Sequence, residues 1–122
     1  MSESQRRFQR YDLNPAAFSK QRVKAAGLIG AFKGWRDCRV KDMSAAGALV
    51  LAKVEFMMGD KLEVELTTLE GTRLVFKGEV VNLGRDHSSH ETKLGITLGK
   101  TTPGSSENSF LNELERRFKQ SA

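Results

Sequence analysis

The sequence predicts a mainly β fold: a six-stranded antiparallel β-barrel with a C-terminal α-helix and a flexible basic N-terminal arm. Three observations lead there. Short apolar segments alternate with polar residues at period two through the middle of the chain, turn residues punctuate them at short intervals, and only the last stretch carries apolar residues at helical spacing. A length of 122 residues suits one domain with a single core.

The arm comes first. Residues 1–24 hold Arg6, Arg7, Arg10, Lys20, Arg22 and Lys24 against Glu3 and Asp12, so they carry a net +4 of the chain's +5. Charge gathered at one end points to an anionic contact, whether phosphate, nucleic acid or an acidic partner, or to a solubilising tail. The arm is placed at residues 1–18, the barrel at 19–102 and the closing helix at 103–122.

The first strand is expected over Gln21–Ile29, followed by a turn at Gly30–Gly34. Trp35–Lys41 follows, with Cys38 and Val40 inward between charged neighbours; Trp35 is expected in the core. A turn at Met43–Gly47 leads to the apolar strand Ala48–Ala52. Leu62, Val64 and Leu66 alternating with Glu63, Glu65 and Thr67 form the cleanest strand, one face buried and one wet. Thr72–Leu83 is extended, with a bulge or bend near Gly78. Lys93–Leu98 puts Leu94, Ile96 and Leu98 on one face. Turns at Met57–Asp60, Glu70–Gly71 and Asp86–His90 connect these strands. In the helix, Phe110, Leu111, Leu114 and Phe118 recur at spacings of three and four, Ser105 or Ser106 supplies the N-cap, and Pro103-Gly104 precedes it.

Several function classes are disfavoured. No apolar run approaches the roughly 20 residues a membrane-spanning helix needs, and Met1–Tyr11 lacks an apolar leader segment, so the expected location is the cytoplasm without membrane insertion. One cysteine, Cys38, allows no internal disulfide. His87 and His90 flank a polar turn with no further ligand cluster, which argues against a metal site. No nucleophile, base and oxyanion set or phosphate-cradling Gly loop can be assembled, so no enzyme and no cofactor are expected.

Two motifs remain. The arm reads Gln5-Arg6-Arg7-Phe8-Gln9-Arg10, an Arg-x-x-x-Arg pattern. Between two strands lies Asp42-Met43-Ser44-Ala45-Ala46-Gly47, an Asp-x-Ser-x-x-Gly turn. Each recurs by chance, the second being what a self-capping turn looks like. In this order on a barrel they resemble the PilZ family of cyclic di-GMP receptors, and the resemblance extends to Leu94-Gly95-Ile96 on a late strand and to the closing helix. It implies a ligand, cyclic di-GMP, bound by Arg6, Arg7, Arg10, Asp42, Ser44 and Gly47. Arginine's planar fork matches guanine O6/N7 or a phosphate edge, a carboxylate accepts from the guanine Watson–Crick edge, and glycine permits close approach and positive φ.

In that family the residue before the first arginine, here Gln5, influences whether one ligand or an intercalated pair binds. Trp35 and Arg39 are candidates to line the ligand face. The resemblance further implies a receptor or adaptor, a monomer or weak dimer, that changes conformation and signals to a protein partner controlling motility, biofilm or virulence. Rival readings are a PilZ-like interaction adaptor without ligand and a basic barrel for single-stranded nucleic acid; the scarcity of exposed aromatics makes nucleic acid the weaker partner.

Overall fold

The computed structural model describes residues 8–121, apart from the side chains of Ile29 and Ala31. Among the described residues, eight strands occur in chain order: β1 Tyr11–Asp12, β2 Phe18–Ala25, β3 Arg36–Met43, β4 Gly47–Ala52, β5 Lys61–Thr68, β6 Arg73–Asp86, β7 Glu91–Leu98 and β8 Lys119–Gln120. The helices are α1 Gly27–Lys33, α2 Ser106–Asn112 and α3 Leu114–Arg117, with a 3-10 turn at Pro15–Ala17.

The expected barrel is present: β2-β5-β6-β7-β4-β3 are hydrogen-bonded in that order, every pairing antiparallel, and β2 pairs again with β3 to close the ring. That closing seam is narrow, with Arg22 opposite Asp37 and Val23 opposite Arg36; the Gln21 side chain extends it by accepting from the Val40 N–H at 2.8 Å. Period-two alternation fills the interior. Val23, Val40, Val50, Val64, Leu66 and Leu94 are all fully buried. β6 serves both walls, its first half pairing with β5 and its second with β7. Its register shift falls between Val80 and Asn82, just beyond the expected bend at Gly78.

Three expectations are corrected. The first strand does not run to Ile29. Gly27 takes φ 76° after the last ladder bond, Ala26 N–H to Lys61 O, and the chain curls into α1, so the C-terminus is not the only helical region. Gly30 lets α1 lie directly on the strand end, because a Cβ there would collide with the Ala25 carbonyl oxygen.

The C-terminal helix is broken. α2 is capped by Ser105 and ends at Glu113; α3 is one turn, and Phe118 is extended with φ −133°. Phe110 and Leu114 of the apolar stripe are buried and Leu111 and Phe118 partly so, in an aromatic cluster: Phe110 and Phe118 each stand about 6 Å from Phe18, and Phe110 also meets Phe76. These rings plug one end of the barrel. Straightening the helix would pull Phe118 off Phe18 and forfeit β8.

Residues 11–18, read as part of the arm, hold β1 and the 3-10 turn; Leu13 is in the core, and the barrel's first strand starts at Phe18.

Candidate ligand-binding site

The candidate site forms where β1 runs along the outer edge of β3. Tyr11 pairs with Met43 and Asp12 with Asp42, while Leu13 N–H donates to Lys41 O at 3.1 Å. β8 clamps the arm from its other side: Tyr11 faces Gln120, Ser121 N–H donates to Arg10 O at 2.9 Å, and the Ser121 hydroxyl donates to Asp12 at 2.6 Å. This register sets two carboxylates, Asp12 and Asp42, opposite each other on adjacent strands. Each needs a donor of its own. Ser121 supplies Asp12, and Arg10 supplies Asp42.

The β3–β4 register shifts between Val40 and Asp42, and that irregularity lies where the Asp42 carboxylate meets the arm. Arg10 Nη1 donates to Asp42 Oδ1 at 2.7 Å, with the arginine side chain 51% exposed and the aspartate 14%. Beneath them the turn is self-supporting. Ser44 is buried, its Oγ accepts from the N–H groups of Ala46 and Gly47 at 3.1 Å each, and its own N–H donates to Gly47 O at 2.8 Å. Leu98 N–H donates to Ala46 O at 2.9 Å, tying the turn to β7.

Gly47 does not use positive φ, contrary to that part of the expectation. Its requirement is space: a Cβ would sit 2.7 Å from Ile96 O and 4.0 Å from Arg10 Nη2.

Arg10, Asp42, Ser44 and Gly47 are thus brought together, with Ser44 as the staple of the turn and Arg10 and the largely covered Asp42 as the ion pair above it. Arg6 and Arg7, like Gln5, lie outside the described residues. Arg39 is exposed on β3, four residues nearer the seam than Met43. Trp35 is not in the core. It is half-buried on the outer face, with Lys24 Nζ 4.8 Å and Arg22 Cζ 5.4 Å from its ring and Arg73 Cζ 5.9 Å.

Under that cationic cluster lies Glu65, only 1% exposed, accepting from Arg22 Nε at 2.7 Å and Arg73 Nε at 2.5 Å. The Arg22 hydrogen bond, reinforced by Arg73, holds the Glu65 carboxyl below the usual range against its burial. Sequence reading missed this group, since only the register Arg22 opposite Glu65 makes them neighbours. At the far turn, Asp86 is committed to Ser88 and Ser89, and the described residues hold no cluster of three metal-ligating side chains.

The fold and this junction define a class: a small closed antiparallel barrel domain with an arginine-bearing arm laid against its edge. The chain belongs to the PilZ domain family, whose model matches residues 4–115.

Two solved structures share the fold. The inhibitor of motility MotI/DgrA of Bacillus subtilis is 15% identical with a TM-score of 0.68, over 90% of this chain and 49% of that one. This chain therefore spans about half the length of that protein. The PilZ domain of YcgR from Escherichia coli, with c-di-GMP, is 16% identical with a TM-score of 0.62, over 90% of this chain and 91% of that one. A comparison with curated proteins finds no match.

Proposed function

We propose that this protein is a cyclic di-GMP receptor that acts as an adaptor, with no catalytic step, changing its surface on binding and signalling to a protein partner. One observation carries the reading. Arg10 and Asp42, 32 positions apart and drawn from the two family motifs, stand 2.7 Å apart above Gly47.

Without ligand the two charges satisfy each other. An ion pair whose arginine is half-exposed is worth only about 0–1 kcal/mol, so a ligand offering both a base edge and phosphates can take the two groups over at little cost. Asp42 then accepts from the guanine Watson–Crick edge, while Arg10, with Arg6 and Arg7 of the arm, takes guanine O6/N7 and phosphate oxygens. Ser44 acts by fixing the turn, and Gly47 by leaving room over it. Because β1 pairs with β8 and the Ser121 N–H holds the Arg10 carbonyl, rearranging the arm alters the surface that these two segments share.

Family membership and the c-di-GMP of the YcgR domain support the ligand; the name of MotI supports motility as an output, with biofilm or virulence control as related outputs of a cytoplasmic switch. The test is calorimetric titration with cyclic di-GMP, using GMP and a single-stranded oligonucleotide as controls. Tight binding of cyclic di-GMP alone is expected, lost in Arg6→Ala and in Arg10→Ala with apo melting unchanged. Full affinity in either variant refutes the site. Oligonucleotide binding with none of the dinucleotide favours the nucleic-acid barrel, and binding of none of the three favours a ligand-free adaptor.

A further inference from the structure

A wide cleft lies away from the arm. It has a volume of about 1030 Å3 and opens at the opposite end of the barrel, where β2 and β4 finish and β5 and β7 begin. The aromatic plug closes the arm end, whereas this end is floored by apolar Val23, Val54 and Phe56. Its rim is cationic: Lys24, Lys33, Arg36, Lys53, Lys61 and Arg85 stand against Glu55 and Asp60. The Asp60 carboxylate is already engaged by the Met57 N–H at 2.8 Å. None of the six cations forms an ion pair among the described residues.

Two apolar protrusions flank this rim. On α1, Leu28 and Phe32 are four residues apart on one face and 84% and 93% exposed, while Gly30 packs that helix onto β2. Next to it, the turn before β5 exposes Met57 at 73% and Met58 at 60%. The bond from Ala26 N–H to Lys61 O stitches the two protrusions side by side.

We propose that this end of the barrel docks on the surface of an anionic lipid bilayer. Leu28 and Phe32 enter the interfacial layer and the surrounding cations meet phosphate headgroups. Charge complementarity and shape favour lipid over a folded partner. Side chains that project almost fully into solvent are buried most readily by a medium that flows around them. Four of the six cations are lysines, point charges suited to the diffuse potential of headgroups rather than to bidentate recognition. The contact is peripheral, since no helix among the described residues is long and apolar enough to cross a membrane. It does not depend on the cyclic di-GMP reading, because the two surfaces lie at opposite ends.

The experiment is sedimentation of the full chain with phosphatidylcholine vesicles, with and without phosphatidylglycerol. Binding is expected only with phosphatidylglycerol, weakening steeply with salt. Leu28→Ser with Phe32→Ser should lower it at least about tenfold, and Lys33→Glu with Lys53→Glu at least about a hundredfold. Cyclic di-GMP titration and the thermal melt of both variants should match the parent, which separates this proposal from the ligand site.

No binding of the parent protein to phosphatidylglycerol vesicles at low salt overturns the proposal. So does equal binding to both vesicle types. Binding that survives both double variants but is lost in Arg6→Glu with Arg7→Glu assigns the effect to the arm and also overturns it. Capture of an acidic helical peptide in place of vesicles overturns it in favour of a protein partner.

Discussion

Replacing Gly47 by alanine adds one methyl at the crossing of the turn, the arm and β7, and the structure sets what it must cost. The new Cβ would lie 2.7 Å from the Ile96 carbonyl oxygen, well inside contact distance, and its neighbour is backbone rather than the end of a flexible side chain. Relief requires β4 and β7 to part where Gly47 pairs with Thr97 and Ala48 with Ile96. Overpacking of this kind costs about 1–3 kcal/mol. For a domain of this length that corresponds to a fall in Tm of about 3–12 °C.

Gly84→Ala is the internal control. It lies in β6 opposite Lys93, and its added Cβ would meet only the Lys93 side chain at 3.7 Å, an ordinary contact. Its melt should stay within about 0.5 kcal/mol of the parent, or rise slightly as the unfolded chain loses freedom. Calorimetry or circular dichroism melts of the two variants, measured together, decide the matter. A Gly47→Ala protein that melts with the parent, or a Gly84→Ala protein that falls equally, refutes the reasoning that space rather than backbone conformation selects Gly47.

Three further outcomes are expected. Because the folded-state pKa of Glu65 is depressed by Arg22 and Arg73, its stabilising contribution is complete above the ordinary glutamate pKa of about 4.3 and is lost as pH falls through the lower folded value. The melting gap between the parent and Glu65→Gln should therefore narrow as pH drops below about 4.3; a gap constant down to acid unfolding contradicts it. Burial, aided by Asp37 and Glu91, pushes the Cys38 thiol up to about 12, so a disulfide reagent at mildly alkaline pH should react with it only after denaturation. Rapid labelling of the native protein would refute that. Ending the chain at Phe118 removes β8 and the Ser121 bonds to Arg10 and Asp12 while retaining the aromatic plug. The barrel should still fold cooperatively and cyclic di-GMP affinity should fall; unchanged affinity would show that the arm needs no clamp.

The PilZ comparison and the barrel agree with what alternation already indicated. A strand with one buried face records its side-chain direction in every second residue, so β3 to β7 were legible as strands, although β3 runs on to Met43, β6 runs on to Asp86 and Glu65, read as on the wet face, is buried. What a linear pattern cannot record is a choice between two structures that use the same apolar residues. Phe110, Leu114 and Phe118 suit one continuous helix, yet Phe118 stacks on Phe18 only if the helix stops at Arg117, after which Lys119–Gln120 can pair with β1. The stretch after Ala25 suits a longer strand, but Gly27 at positive φ ends it and yields α1 with two exposed apolar residues.

Residue type and order by themselves determined a β-barrel and its core stripes, and set out the two motifs whose resemblance to the PilZ family underlies the proposed base and phosphate ligand. Tertiary structure alone decided that Arg10 meets Asp42 across 32 positions, that Arg22 and Arg73 share Glu65 beneath Trp35, and that one barrel end is plugged while the other is open and cationic. The physical reason is register. Periodicity says which face a side chain takes, whereas its neighbour on the next strand depends on how two distant segments slide into alignment, and that is fixed only when the whole ring closes.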